Sequence, residues 1–217
     1  MDADGVRDIV RTSLPDPLLR SATEAVFLAR RLASEDCRQR YADPEADNLR
    51  PFETRAQLEQ LLRAVGERHG FRATVVKQPG QPWNHTEISD GRVVVTAATV
   101  QKPGGMVVES DYRRGLASTG QQKLFELDGN QTSEAGLPLY VILAHSRYIG
   151  LPAEVRKYGH LPGSVSIVCP ASDFRCYVYE ENLLLRYPDV VRKHVPKEWD
   201  QEAVLRYLSS SRKSAMG

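Results

Sequence analysis

The sequence predicts an α+β fold, a mostly antiparallel sheet flanked by N-terminal and C-terminal helices. Three observations predict it. Apolar residues recur at helical spacing before residue 70 and again after residue 199, β-branched runs fill the stretch between them, and Asp90-Gly91 stands between two such runs. A two-residue hairpin turn needs residues that accept positive φ, as this dipeptide does.

In chain order, Pro15 and Pro17 open a helix whose stripe is Leu18, Leu19, Ala22, Val26, Ala29 and Leu32, ending near Ser34. Asp36 to Arg50 is polar, contains Pro44 and Asn48, and reads as a loop. Helical spacing returns from Phe52 to His69 through Leu58, Leu61, Leu62 and Val65, with Gly70 at the position of a C-terminal cap. A two-residue loop at Asp90-Gly91 puts Ser89 opposite Arg92, Ile88 opposite Val93, Glu87 opposite Val94, Thr86 opposite Val95 and His85 opposite Thr96. Thr86, Ile88, Val93 and Val95 then share the core face, and His85, Glu87, Val94 and Thr96 share the other. Arg92 to Val100 is apolar on both faces after its first residue, as a central strand would be, with Phe71 to Lys77 expected as a third strand beside it.

Lys102-Pro103-Gly104-Gly105 breaks that strand, and a short strand or turn followed by one or two short helices is expected between Val107 and Leu127. Leu137 to Ala144 reads as a second buried strand. Ser164 to Cys169 and Phe174 to Glu180 read as a further hairpin, with Arg175, Tyr177 and Tyr179 on one face and Phe174, Cys176 and Val178 on the other. Trp199 to Leu208 is a closing helix with an apolar side of Trp199, Ala203, Val204, Leu205 and Leu208. The organisation is a helical part over 1–70, a mostly antiparallel β core over 71–198 and a helix with a basic tail over 199–217, together one structural domain.

Composition narrows the classes of function. The chain has 217 residues and a formal net charge of +1, so bulk charge attracts neither nucleic acid nor an anionic membrane, and such binding would have to be local. Cys37, Cys169 and Cys176 form neither an even disulfide set nor a metal-ligand spacing, which favours a reducing compartment. No apolar run approaches the roughly 20 residues that span a bilayer, and the first residues are acidic rather than signal-like. The expected location is the cytoplasm, with no membrane partner.

Two groups of residues carry candidate chemistry. His85 and Glu87, two apart on one strand, point the same way and combine an imidazole with a carboxylate, a pairing suited to acid/base work. The pair is also compatible with a divalent metal, given further ligands from Asp90, Glu109 or Asp111. His145 ends a buried strand, where a side chain reaches a cleft from a rigid base. The competing reading makes the first two exposed strand residues and the third a core histidine bonded to backbone. Arg175, Tyr177 and Tyr179 on one strand face offer stacking and a phosphate contact for single-stranded nucleic acid, and Arg192 and Lys193 add local charge. Against this stands a solvated strand face on which tyrosine serves packing.

The expected function is nucleic-acid binding, with metal-dependent or histidine-mediated phosphodiester hydrolysis as the accompanying nuclease chemistry. A non-catalytic protein-interaction module is one alternative, and a small-molecule enzyme with a pocket at His85 and His145 is another. Leu139-Tyr140, followed by Tyr148-Ile149-Gly150 and Arg156, is similar over fewer than twenty residues to the GIY-YIG nuclease module, in which two tyrosines and a helix arginine serve the active site. Here Pro138 replaces that module's first glycine. The acid-then-Glu-x-Lys pattern of restriction-endonuclease-like folds is absent, Val94-Val95-Thr96 occupying its place.

Overall fold

A computed structural model of the chain describes residues 3–77, 84–125, 138–148 and 157–213. Its described elements run α1 (Ala3–Ser13), α2 (Asp16–Arg40), α3 (Asp43–Arg68), β1 (Arg72–Lys77), β2 (Asn84–Ser89), β3 (Val93–Val100), α4 (Asp111–Phe125), β4 (Leu139–Arg147), β5 (Pro162–Pro170), β6 (Tyr177–Asn182), α5 (Leu183–Arg186), α6 (Pro188–His194) and α7 (Gln201–Lys213). The α+β prediction holds. Six strands form one sheet in sequence order, antiparallel at every junction except β3 with β4. That one parallel pair needs a crossover, and α4 lies in it.

Helix α2 buries Leu18, Leu19, Ala22, Ala25, Val26, Ala29 and Ala33 along one stripe, and its alanines let α3 lie close. The stretch expected as a loop after Asp36 is mostly helix. Helix α2 runs on to Arg40, and α3 begins at Asp43, with Pro44 in its first turn where a missing N–H costs nothing. Pro51 sits inside α3, so the helix forgoes one internal hydrogen bond there without ending. Gly70 closes α3 at φ +79°, with the Phe71 N–H donating back to the Gly66 carbonyl. A side chain at Gly66 would strike Ile88, so that glycine sets the distance between α3 and β2.

Two corrections concern the hairpins. In the first, Ile88 faces Val95 and Ser89 faces Val94, a shift of two residues from the expected register. Asp90 does not take positive φ, which a two-residue type I′ turn would require. Instead its carboxylate accepts the N–H groups of Arg92 and Val93, and Ser89 Oγ donates to the Val93 carbonyl, which widens the loop. A shift of two preserves side-chain alternation, so Ile88, Val93 and Val95 still face the larger core. Strand β1 lies outside β2 at the sheet edge rather than beside β3, whose second neighbour is β4.

In the second hairpin the ladder pairs Cys169 with Tyr179 and Pro170 with Tyr177, so Val178 is bulged. A bulge reverses the alternation on one side of it. Tyr177 accordingly packs against the smaller core with Phe174, whereas Tyr179 and Val178 pack against the larger one. The expected common face of Arg175, Tyr177 and Tyr179 does not form.

The larger core lies between one sheet face and helices α1, α2, α3, α5, α6 and α7. On the other face a smaller core joins Ala98, Val100, Tyr140, Ile142, Ala144 and Val168 to Val107 and to Ala117 of α4. Among the described residues no helix is long and apolar enough to cross a membrane.

Candidate functional site

Because β3 and β4 run in parallel, their carboxyl ends emerge side by side, with Thr99 opposite His145 and Val100 opposite Ser146. The edge of a sheet where parallel strands end is a common place for ligand clefts. The paired register of β2 with β3 covers only Ile88 with Val95 and Ser89 with Val94. Beyond it, toward His85, Glu59 of α3 occupies the neighbourhood of β2: the Thr86 N–H donates to its carboxylate at 2.5 Å and the Thr86 hydroxyl to its backbone carbonyl at 3.0 Å.

Two cavities open at this end and share Thr99 and His145 as a common wall. The first, about 200 Å³, is lined by Arg55, Leu58, Glu59, Ala97, Ala98 and Arg113 as well. The second, about 190 Å³, is lined by Arg30, Asp47, Arg50, Pro51, Thr54, Arg147, Tyr148 and Gly159. Five arginines from α2, α3, α4 and β4 thus meet two carboxylates. The excess of positive charge is local, in a protein that is nearly neutral overall.

Arg30 is the unusual member. It is 6% exposed, and it donates to the carbonyls of Leu161 (Nε, 3.2 Å) and Gly159 (Nη2, 3.1 Å). Burial pushes its pKa down to about 10, and the charges of Arg147 and Arg50 push the same way. No carboxylate among the described residues pairs with it. A buried, uncompensated cation costs folding free energy, and an anion in the adjoining cavity would offset that cost. Arg50 pairs with Asp47, while its Nε is buried without a partner.

His145 is 2% exposed and lines the shared wall, its Nε2 lies 3.4 Å from Thr99 Oγ1, and its buried Nδ1 has no partner among the described residues. Burial first, and the Arg30 charge second, lower its pKa to about 3, so it stands neutral with a hydrogen-bonding atom to spare. His85 does not line either cavity. Its Nδ1 lies 3.6 Å from Glu59 Oε1, its ring stacks on Tyr112 at 5.5 Å, and Arg55 Nη2 is 3.2 Å from both ring nitrogens. Lone pairs on those nitrogens diverge, so a donor equidistant from both lies against the ring. Glu87 accepts a hydrogen bond from the Tyr112 hydroxyl, and burial with that bond raises the tyrosine's pKa far above its usual value. His85 and Glu87 are therefore joined through Tyr112, and Arg55 with Glu59 stands between His85 and the cavity that His145 walls.

The other candidates lie elsewhere. Arg175 is exposed beside Asp173. The Tyr177 hydroxyl accepts from the Val107 N–H and donates to the Gly105 carbonyl, and the Tyr179 hydroxyl donates to Glu181. Lys193 pairs with Glu24 at 3.0 Å, and Arg192 borders a separate groove beside Trp199. Among the described residues no three His, Cys, Asp or Glu side chains gather where they could hold a metal ion. Tyr140 is fully buried against Thr96, while Ile149, Gly150 and Arg156 of the GIY-YIG-like stretch fall outside the described residues. Comparison of the chain with protein-family models, curated proteins and solved structures found no match.

Sequence reasoning missed Arg30, Arg55, Glu59, Arg113 and Arg147. One of them had a legible signal: Arg30 falls four residues after Val26 and beside Ala29 and Ala33, a charge on the apolar stripe of α2.

Proposed function

We propose that this chain binds a nucleotide phosphate, free or within a nucleic-acid strand, in the arginine-lined cleft at the carboxyl ends of β3 and β4. The observation that carries this reading is Arg30, buried beside Arg50 and Arg147 with no carboxylate partner among the described residues, where His145 Nδ1 also finds none. Guanidinium groups match phosphate oxygens in pairs, which a point-charge ammonium does not.

Hydrolysis of the bound ester is the accompanying reaction we infer. Glu59 lines the first cavity, across the Thr99–His145 wall from Arg30, and the Thr86 N–H fixes its carboxylate; it serves as the base for water attacking a phosphate that extends into that cavity beside Arg55 and Arg113. The water oxygen forms the new bond to phosphorus, the bond to the leaving alcohol breaks, and that alcohol oxygen takes a proton from solvent.

The test is fluorescence polarisation with a labelled single-stranded oligonucleotide, with a nucleoside monophosphate and inorganic phosphate as competitors, across a salt series. Competition by the monophosphate, and an affinity that falls steeply with salt and weakens in Arg147→Ala, are the expected results. Binding that ignores salt and Arg147→Ala would overturn the reading. Release of product from the oligonucleotide, lost in Glu59→Gln, tests the chemistry separately.

A further inference from the structure

We propose that Tyr148 is a stacking platform for a nucleobase, so that the ligand class is a nucleotide unit recognised by base and phosphate together. The inference rests on the phosphate reading above and adds to it. Tyr148 follows Arg147 at the end of β4 and lines the same cavity as Arg30 and Arg50. Its ring is held by Tyr207, stacked at 6.1 Å and 27°, and by Tyr158, edge-on at 6.4 Å and 73°. Trp199 braces both of those rings, at 5.6 Å from Tyr207 and 5.0 Å from Tyr158. Such a ring is fixed before a ligand arrives, which removes most of the ordering cost of binding.

Packing alone accounts for part of the cluster. Tyr207 is buried and donates its hydroxyl to the Pro162 carbonyl, tying α7 to β5. Tyr148 differs, because it is only half-buried and lines a cavity. Arg50 and His145 line that same cavity, and just behind its wall each holds a buried polar atom, Arg50 Nε and His145 Nδ1, with no partner among the described residues. Phosphate-binding arginines, spare hydrogen-bonding atoms and an aromatic ring on one wall set are the three contacts a nucleotide needs. A ligand of phosphate alone would use only the first.

The experiment uses the full chain carrying Trp83→Phe, so that Trp199 reports from within the cluster. It is titrated with inorganic phosphate, ribose 5-phosphate and a nucleoside 5′-monophosphate. The nucleotide is expected to bind roughly 5- to 150-fold more tightly than ribose 5-phosphate, the range that base stacking on an aromatic ring provides. Tyr148→Phe should keep that advantage, and Tyr148→Ala should reduce the nucleotide to the level of the sugar phosphate. Equal affinity of nucleotide and ribose 5-phosphate, with phosphate still binding, overturns the platform and leaves the phosphate site standing. If none of the three binds, the phosphate site itself fails and the platform with it.

Discussion

Arg30 and Arg186 are both arginines drawn into contacts between distant segments, yet their surroundings are opposite. Arg186 reaches Asp16 at 2.6 Å and Glu181 at 2.7 Å, and the Tyr187 hydroxyl bonds the same Asp16 carboxylate. Its charge is answered twice, and the result ties α5 to the start of α2. Arg30 is more deeply buried, meets carbonyls where Arg186 meets carboxylates, and faces further arginines across a cavity. The difference teaches that charge compensation, rather than burial or residue type, separates these two arginines, and it is the lack of a carboxylate at Arg30 among the described residues that supports the ligand reading proposed above.

The largest expected effect on binding tests that contrast directly. Arg30→Met should weaken binding of a nucleotide phosphate by about 10- to 100-fold, the value of a charge-assisted hydrogen bond or two. It also strips donors from the Leu161 and Gly159 carbonyls, a loss of about 1–3 kcal/mol on denaturant unfolding. Arg186→Met should lower stability too, by about 1–2 kcal/mol, and leave affinity untouched. Equal losses of affinity in the two variants would break the comparison.

A separate prediction concerns the pH dependence of stability. His145 has a folded pKa near 3, below the usual histidine value near 6.5, because burial disfavours its charged form. The unfolded chain therefore takes up a proton that the folded chain refuses as pH falls through that window. Stability from this group is complete above about pH 6.5 and declines toward pH 3 by at most about 1.4 kcal/mol per pH unit. Urea unfolding of the parent and of His145→Asn across this range measures it, and the variant should show the shallower slope.

Smaller again, Arg113→Ala should reduce the slope of log affinity against log salt by about 1, the signature of one lost phosphate contact. A slope that did not move would assign Arg113 to the fold, where its Nη1 already donates to the Val108 carbonyl at 2.8 Å. The smallest expected effect is at Arg175, exposed beside Asp173: Arg175→Ala should leave affinity and unfolding midpoint within error. A drop in affinity there would return the β5–β6 hairpin to the site.

Several elements were legible in the residues. Helix α2 follows from its apolar stripe and its prolines, β3 and β4 from runs apolar on both faces, and the α3 terminus from Gly70. His85, Glu87 and His145 were singled out for real physical reasons, namely position at strand ends and a shared face. What they border could not be inferred, because Arg30, Arg55, Glu59 and Arg113 approach from helices whose packing no local pattern encodes. Arg175, Tyr177 and Tyr179 show the converse. Their spacing implies one face, and a single bulge at Val178 sends Tyr177 and Tyr179 to opposite cores.

By itself, then, the sequence determined the fold class, the central strands and the long helix, because periodicity and turn chemistry act over a few residues and are written into them directly. Strand order, the parallel pairing of β3 with β4, the register of both hairpins and the gathering of five arginines around two adjoining cavities were decided only by the tertiary structure. Those features depend on which distant surfaces bury each other and on where a buried charge is left without a partner, and no stretch of chain holds both sides of such a contact.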